Sequence, residues 1–251
     1  MTHFAMQKLY SSEDLERLAV EMGFLPFFKN EIGGFSIEEH TPSERWFSDE
    51  NEGPWDWKGS VARNGKCVYG KFFKGKAGFV SMEWFPELVN YRRHCYEEAN
   101  QASNNLLEVN DKPIYDAVVA HESLLSKEIK LLLGFGEDRK PHHLEARLVE
   151  ELDKKNKATR RSGGYDTIMT RLQMATYLII VDFEYLLDKY NQPYGWGIAR
   201  YTTPELLIGK SLILSCSHHT AEESFHCLQN YLSRLLPQAT ETQINHIIDW
   251  K

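Results

Sequence analysis

Cationic side chains cluster directly before a segment that is rich in hydroxyl, amide and guanidinium groups. The cationic run contains no acid and consists of Lys154, Lys155, Lys157, Arg160 and Arg161. Such runs bind nucleic-acid phosphates, although many are only solvated faces. The following segment offers side chains that pair with base edges or phosphates, namely Thr167, Thr170, Arg171 and Gln173. These nine residues are our candidate DNA-binding residues.

A helix over residues 165–176 would present these groups on its outer side. At 100° per residue, inward-facing Ile168, Leu172 and Ala175 turn a polar set outward, with Arg171 at the edge. The outward set is Asp166, Thr167, Thr170, Gln173 and Met174. One Arg and one Asp form a weak cationic surface, so a helix that serves packing or dimerisation remains an alternative.

Aromatic and cationic residues also alternate nearer the N-terminus. Trp57, Lys58, Tyr69 and Lys71 are candidates for contacts to a base or a groove, because an unstacked base needs stacking surfaces and phosphate contacts. Large aromatic residues in a small sheet are, however, more often part of the core. Both interpretations are open for these four residues.

The cysteines and histidines show no recognisable metal or nucleophile motif. Cys216, His218, His219, His226 and Cys227 bring soft ligands close in sequence, but their spacing matches no zinc motif that we recognise. The chain also lacks a nucleophile elbow, a phosphate-binding loop and an HExxH motif. We therefore predict no metal site and no cofactor.

Composition indicates a globular protein with an uneven charge distribution. The 251 residues are 42% hydrophobic and carry a net charge of −7. The first 53 residues hold eleven acids and four bases, whereas residues 54–93 hold three acids and eight bases. No apolar run is long enough for a membrane span, and the N-terminus does not resemble a secretory signal. We expect a cytoplasmic protein with no membrane contact and with reduced, unpaired cysteines.

The second half of the chain has the element order of a winged helix-turn-helix domain. Pro113 starts a helix that runs to His121, Ser126 caps another that ends at Gly134, and the segment 165–176 forms a third. Residues 177–201 then read as a two-stranded hairpin with a long turn. Because 135–163 separate the paired helices, the charged helix at about 137–160 is predicted to be an insertion.

The remaining segments complete an α+β fold. A first helix follows Ser11 or Ser12, and residues 57–80 predict a three-stranded antiparallel meander that turns at Asn64-Gly65 and at Lys74-Gly75. Helices are also predicted at 220–236 and from Thr240 onward. We expect an N-terminal subdomain at 1–99, a winged-helix domain at 111–204 and a helical extension at 205–251.

Several motifs in this order resemble one family. The stretch DTIMTRLQMATYLIIVDFEY…YGWGIARYTTPELL is similar to the winged-helix segment of AlkZ-like DNA glycosylases. The patterns GPW-x-WKG, YGKFF, KAGF, WFP, NYRR and LLSKE, together with that stretch, resemble the small bacterial proteins called AlkZ-related. The resemblance runs from about Leu25 to Glu205 and is more specific to this group than to the glycosylases themselves.

The resemblance implies winged-helix elements around a DNA channel and hydrolytic excision of alkylated or crosslinked bases. Excision in the glycosylases is attributed to a Gln-x-Gln motif, which this chain lacks, since Ala175 stands two positions after Gln173. The resemblance thus supports DNA as a partner more than it supports catalysis. Two alternatives are retained: an enzyme that excises bases near the segment 57–71, and a module for protein interaction or homodimerisation.

Overall fold

The computed structural model describes residues 7–48, 50–100, 107, 110–135 and 164–250, without the side chains of residues 193 and 194. Within these ranges the fold is mixed α+β, as predicted, with twelve helices and one six-stranded antiparallel sheet. The predicted charged helix and the cationic run Lys154–Arg161 lie outside the described residues.

The N-terminal segment begins with a helix that is capped at both ends. Helix α1 (Ser12–Met22) starts where the Ser11 side chain accepts a hydrogen bond from the Asp14 amide, and it ends at Gly23, which has φ of 68°. Strand β1 (Phe24–Pro26) follows, and then two single-turn helices, α2 (Ile37–His40) and α3 (Ser43–Trp46). Helix α1 was predicted and is confirmed.

The predicted meander is partly wrong, because its first strand is a helix. Helix α4 (Pro54–Asn64) has Pro54 in its first turn, and the Asp56 carboxylate accepts a hydrogen bond from the Gly53 amide at 2.9 Å. Gly65 ends this helix in the left-handed conformation. The same positive φ that suits Asn-Gly to a hairpin also suits glycine to the end of a helix, so the dipeptide was misread.

Two strands and the longest described helix follow. Strands β2 (Cys67–Phe73) and β3 (Lys76–Ser81) form a hairpin with Lys74 and Gly75 at positive φ, as predicted for that turn. The third neighbour is β1, which pairs with β3 through Phe24 and Val80. Helix α5 (Phe85–Asn100) then carries the paired arginines Arg92 and Arg93.

The second half keeps the predicted order of helices and hairpin. Helix α6 (Lys112–His121), strand β4 (Ser123–Leu125) and helix α7 (Ser126–Leu133) precede helix α8 (Tyr165–Met174). Strands β5 (Ile179–Leu187) and β6 (Pro193–Thr202) then form the hairpin. The short β4 was not predicted and pairs with β6 through Leu124 and Tyr201.

One sheet runs through both predicted N-terminal and central segments, in the order β1-β3-β2-β5-β6-β4. The pairing of Tyr69 with Ile180 joins β2 to β5. Four helices complete the chain: α9 (Pro204–Ile208), α10 (Lys210–Ile213), α11 (Ala221–Leu235) and α12 (Glu241–Ile248). The capping box predicted at Thr240 and Gln243 is confirmed. No helix among the described residues is long and apolar enough to span a membrane.

A buried cation ties the C-terminal helix to the sheet. Arg92 is fully buried and donates to the carbonyls of Phe72 on β2, Met174 at the end of α8, and Ile247 and Ile248 on α12, at 2.8–3.0 Å. Burial lowers the pKa of this guanidinium. Arg92 thus fixes the end of α8 relative to the rest of the core.

Candidate nucleic-acid interface

Helix α8 is the element that was predicted to read bases, and it is more deeply buried than expected. Tyr165, Ile168, Met169 and Leu172 pack inward. Asp166 and Thr167 are exposed, and Thr170 and Arg171 are half-buried. Only the first half of the helix therefore has a fully exposed face.

The predicted outward orientation of Gln173 is wrong, whereas Met174 lines the outer side of α8 but is only 5% exposed. Gln173 has no exposed surface; its amide nitrogen donates to the Met169 carbonyl at 2.8 Å, and its oxygen accepts from the Lys71 amide at 3.2 Å. Helix α8 lies beside the end of β2. There the Gln173 side chain accepts the hydrogen bond of the Lys71 amide, which no neighbouring strand reaches. Sequence periodicity could not reveal this second packing partner.

Arg171 is held by a buried carboxylate. Its Nε donates to Asp111 Oδ2 at 2.7 Å, and a second nitrogen pairs with the other carboxylate oxygen. Asp111 has no exposed surface and also accepts from the Tyr96 hydroxyl at 2.6 Å. Loss of Arg171 would leave this buried carboxylate without its cation, so the guanidinium serves to compensate the charge of Asp111.

A groove of about 680 Å³ lies along the outer side of α8. The β2–β3 turn and the chain's C-terminal end form its other walls, and its lining consists of Lys74, Gly75, Asp166, Thr167, Thr170, Arg171, Met174 and Trp250. The Lys71 ammonium donates to the Thr170 hydroxyl at 3.1 Å. Lys74 is exposed, so this groove combines cations, hydroxyls and one aromatic ring at the position predicted for DNA.

Four aromatic rings contribute to a second concave surface, which also has polar walls. A pocket of about 370 Å³ is lined by Trp46, Phe47, Trp55 and Trp196, together with Arg45, Ser48, Gly53 and Asp56. Phe47 stacks on Trp55 with centroids 6.1 Å apart, and Trp196 meets Trp55 edge-on at 5.7 Å. The Phe47 and Trp196 side chains are 71% and 72% exposed, so a large part of each ring is accessible to a planar ligand.

Lys58 lies beneath this aromatic pocket. Its Nζ is 4.7 Å from the centre of the Trp55 ring and 4.3 Å from that of Phe183. Desolvation lowers the pKa of Lys58 to about 8, against a smaller opposite effect of Asp56. No carboxylate among the described residues forms an ion pair with it, so the two rings are the main partners of its charge.

The other two aromatic candidates belong to the core. Trp57 and Tyr69 are 3% and 4% exposed. Tyr69 packs on Phe79 and Phe183 at centroid distances of 4.8 and 5.6 Å. The structure therefore bears out the core alternative for both rings. The sequence did not single out Phe47, Phe183 and Trp196, which lie at or beneath the aromatic pocket. Alternation along the second strand of the hairpin could have indicated Trp196, but Phe47 has no such signal.

Ligand-type side chains also gather away from both surfaces. One ligand atom each from Glu87, His219 and Cys227 lies within 4.8 Å of the others. The four cysteines form no disulfide bond.

The motifs and the order of elements agree with a comparison against protein families, in which the model described as AlkZ related matches residues 9–249. The chain belongs to the AlkZ-related family. Comparisons with curated proteins and with solved structures find no match. The family match covers the aromatic pocket and the Glu87 cluster of this AlkZ-related protein, and it covers the α8 groove except for Trp250.

Proposed function

We propose that this AlkZ-related protein is a winged-helix protein that binds DNA. One observation carries the proposal: β4 pairs with β6, so that α6, β4, α7, α8 and the β5–β6 hairpin follow the helix, strand and wing order of a winged helix. Helix α8 then occupies the place of the recognition helix. Family membership supports the same conclusion, because the AlkZ-like proteins that this family is named after act on DNA.

The α8 groove is the surface that we assign to the DNA backbone. Thr167 and Thr170 supply hydroxyls, and Lys74 supplies an exposed ammonium. The cationic run Lys154–Arg161 directly precedes α8 in sequence, and its binding to phosphates remains a prediction from sequence. Such local cations can bind a polyanion in spite of the net charge of −7. Gln173 has no part in the proposal, because it is buried.

The aromatic pocket gives the protein a way to hold an unstacked base. Phe47, Trp55 and Trp196 offer ring faces, while Arg45 offers a cation at the rim. Stacking on an aromatic side chain contributes about 1–3 kcal/mol per base. We assign this pocket to single-stranded or flipped nucleotides, and we assign no excision step to it.

Binding titrations of the full chain against fluorescent duplex and single-stranded oligonucleotides test the proposal. Lys74→Glu should weaken duplex binding several-fold and reduce the salt slope by about 1. Lys210→Glu, which makes the same charge change on exposed α10, is the matched control. Equal weakening by both variants would assign the effect to net charge and would remove the α8 groove from the account.

Trp196→Ala tests the pocket. It should lower single-stranded affinity by about tenfold or more, in line with the energy of one stacked base. Leu212→Ala, which truncates another exposed apolar side chain, should leave affinity unchanged. Absence of salt-sensitive binding in the unmodified protein would refute the DNA proposal as a whole.

A second candidate function is self-association through the hairpin. Apolar side chains are exposed along β5, β6 and their turn: Tyr185, Leu186, Leu187, Tyr190 and Trp196. A concentration of exposed apolar side chains on one hairpin favours a protein interface. Sedimentation velocity distinguishes this alternative, since Leu187→Glu should convert a dimer into a monomer, whereas a protein that is already monomeric would exclude it.

A further inference from the structure

A cluster of ligand-type side chains joins α5 to the segment that precedes α11. Glu87 lies on α5, His219 immediately before α11, and Cys227 on α11 itself. Their ligand atoms lie within 4.8 Å of one another, and His219 Nδ1 is 2.9 Å from Glu87 Oε1. These residues are far apart in sequence, so only the packing of α11 on α5 brings them together.

Cys216 is a fourth ligand-type residue beside this cluster. It stands three positions before His219, and the His219 amide donates to the Cys216 carbonyl at 3.0 Å, which closes the Cys-x-x-His turn. The turn places Cys216 next to the cluster along the chain, although its Sγ is not one of the three ligand atoms that lie within 4.8 Å of one another.

Buried polar groups hold the cluster in place. Glu87 is 8% exposed, and its Oε2 accepts from the Ser224 hydroxyl at 2.6 Å. Asn90 donates to the Ser224 hydroxyl and to the His219 carbonyl, both at 2.9 Å. Hydrogen bonds of this type behind the ligands orient them and are characteristic of metal sites.

We propose that Glu87, His219 and Cys227 bind one Zn²⁺ ion and that the Cys216 side chain turns toward them to become its fourth ligand. Thiolate, imidazole and carboxylate are the ligands that zinc takes in proteins. Bond lengths of about 2.0–2.3 Å in a tetrahedral site put neighbouring ligand atoms about 3.5 Å apart. The 4.8 Å limit of the Glu87, His219 and Cys227 group requires only small side-chain movements to reach that spacing. Both thiols release their protons to solvent when zinc binds.

The sequence prediction of no metal site considered only the residues near Cys216 and Cys227, and it missed Glu87 because that residue is more than a hundred positions away. Four protein ligands leave no open coordination position, so the ion has a structural role. It would fasten α11 to α5, the helix that carries Arg92. The proposal is independent of DNA binding.

Cobalt substitution tests the site directly. The full chain is treated with a chelator under reducing conditions and titrated with Co²⁺, whose bonds to thiolate give a charge-transfer absorption band. We expect one equivalent to bind, Zn²⁺ to displace it, and Zn²⁺ to raise the thermal unfolding temperature. Cys227→Ser should weaken binding by about 100-fold or more, whereas Cys95→Ser, on α5 but outside the cluster, should not change it.

Two results would overturn the proposal. One is the absence of a saturable thiolate band in the unmodified protein. The other is an unchanged band in Cys227→Ser. If Cys227→Ser does not fold, Cys216→Ser provides the same measurement, because Cys216 lies in the turn outside α11. A weaker band and weaker binding in folded Cys216→Ser would support the site, and an unchanged band would refute it.

Discussion

Replacement of Arg92 by methionine tests whether one buried guanidinium holds three parts of the molecule together. The four carbonyls that accept its hydrogen bonds belong to β2, α8 and α12. No carboxylate among the described residues forms an ion pair with Arg92. Methionine fills much of the same volume but donates nothing, so all four carbonyls would lose their donor.

The expected cost follows from the number of acceptors. A buried carbonyl without a donor costs about 1–3 kcal/mol, so four of them cost about 4–12 kcal/mol before relaxation. Domains are stable by only about 5–15 kcal/mol. We therefore expect Arg92→Met to lower the free energy of unfolding by at least about 4 kcal/mol, and amide exchange to be fastest in α12, whose last two carbonyls lose their partner.

Urea unfolding followed by circular dichroism, together with hydrogen exchange, measures both effects. Arg92→Lys keeps the charge and some of the donors, so it should have an intermediate cost. Arg17→Met is the control, because Arg17 forms an exposed pair with Asp14 that contributes less than about 1 kcal/mol. A cost below about 1 kcal/mol for Arg92→Met would refute the reasoning, since it would mean that the carbonyls find other donors.

Three further predictions concern α8, Lys58 and the aromatic pocket. Arg171→Ala leaves the Asp111 carboxylate buried without its cation, so the free energy of unfolding, measured with heat or urea, should fall by about 3–5 kcal/mol. The double variant Arg171→Ala with Asp111→Asn should regain most of that loss. The pKa of Lys58 is lowered to about 8 in the folded state, so the unfolded chain binds more protons between about pH 8 and 10.5. The free energy of unfolding should therefore rise with pH in that window, and it should rise less in Lys58→Met. Gly53→Ala would place a Cβ 2.0 Å from the Arg45 carbonyl oxygen, so we expect the free energy of unfolding to fall by about 1–3 kcal/mol and the tryptophan fluorescence to change. Gly33→Ala is the control and should be nearly neutral, because its Cβ would meet no atom within 4 Å.

A variant that behaves like the unmodified protein would contradict each of these predictions. Equal stability of Arg171→Ala and the unmodified protein would mean that Asp111 is satisfied without Arg171. An identical pH dependence in Lys58→Met would show that Lys58 titrates at its ordinary pKa. Unchanged fluorescence and stability in Gly53→Ala would show that the loop before α4 adjusts freely.

Local signals in the sequence determined half of the described helices and the main hairpin. Ser11 and Gly23 bound α1, Pro113 opens α6, and Thr240 with Gln243 opens α12, because caps act within one turn of the residues that supply them. Motifs spread along the chain also determined the family. Asn64-Gly65 suits both a hairpin turn and the end of a helix, and the sequence alone led to the hairpin, which was wrong.

Tertiary structure decided what these elements bury and what they bring together. Strands β1 and β4 have three residues each and exist because β3 and β6 pair with them. Gln173 is buried because the end of β2 needs an acceptor, and Phe47 meets Trp196 around Trp55 only after the chain folds. The same holds for Glu87, His219 and Cys227, which converge across two packed helices. Contacts between residues so distant in sequence depend on the packing of whole elements, and no local pattern encodes that packing.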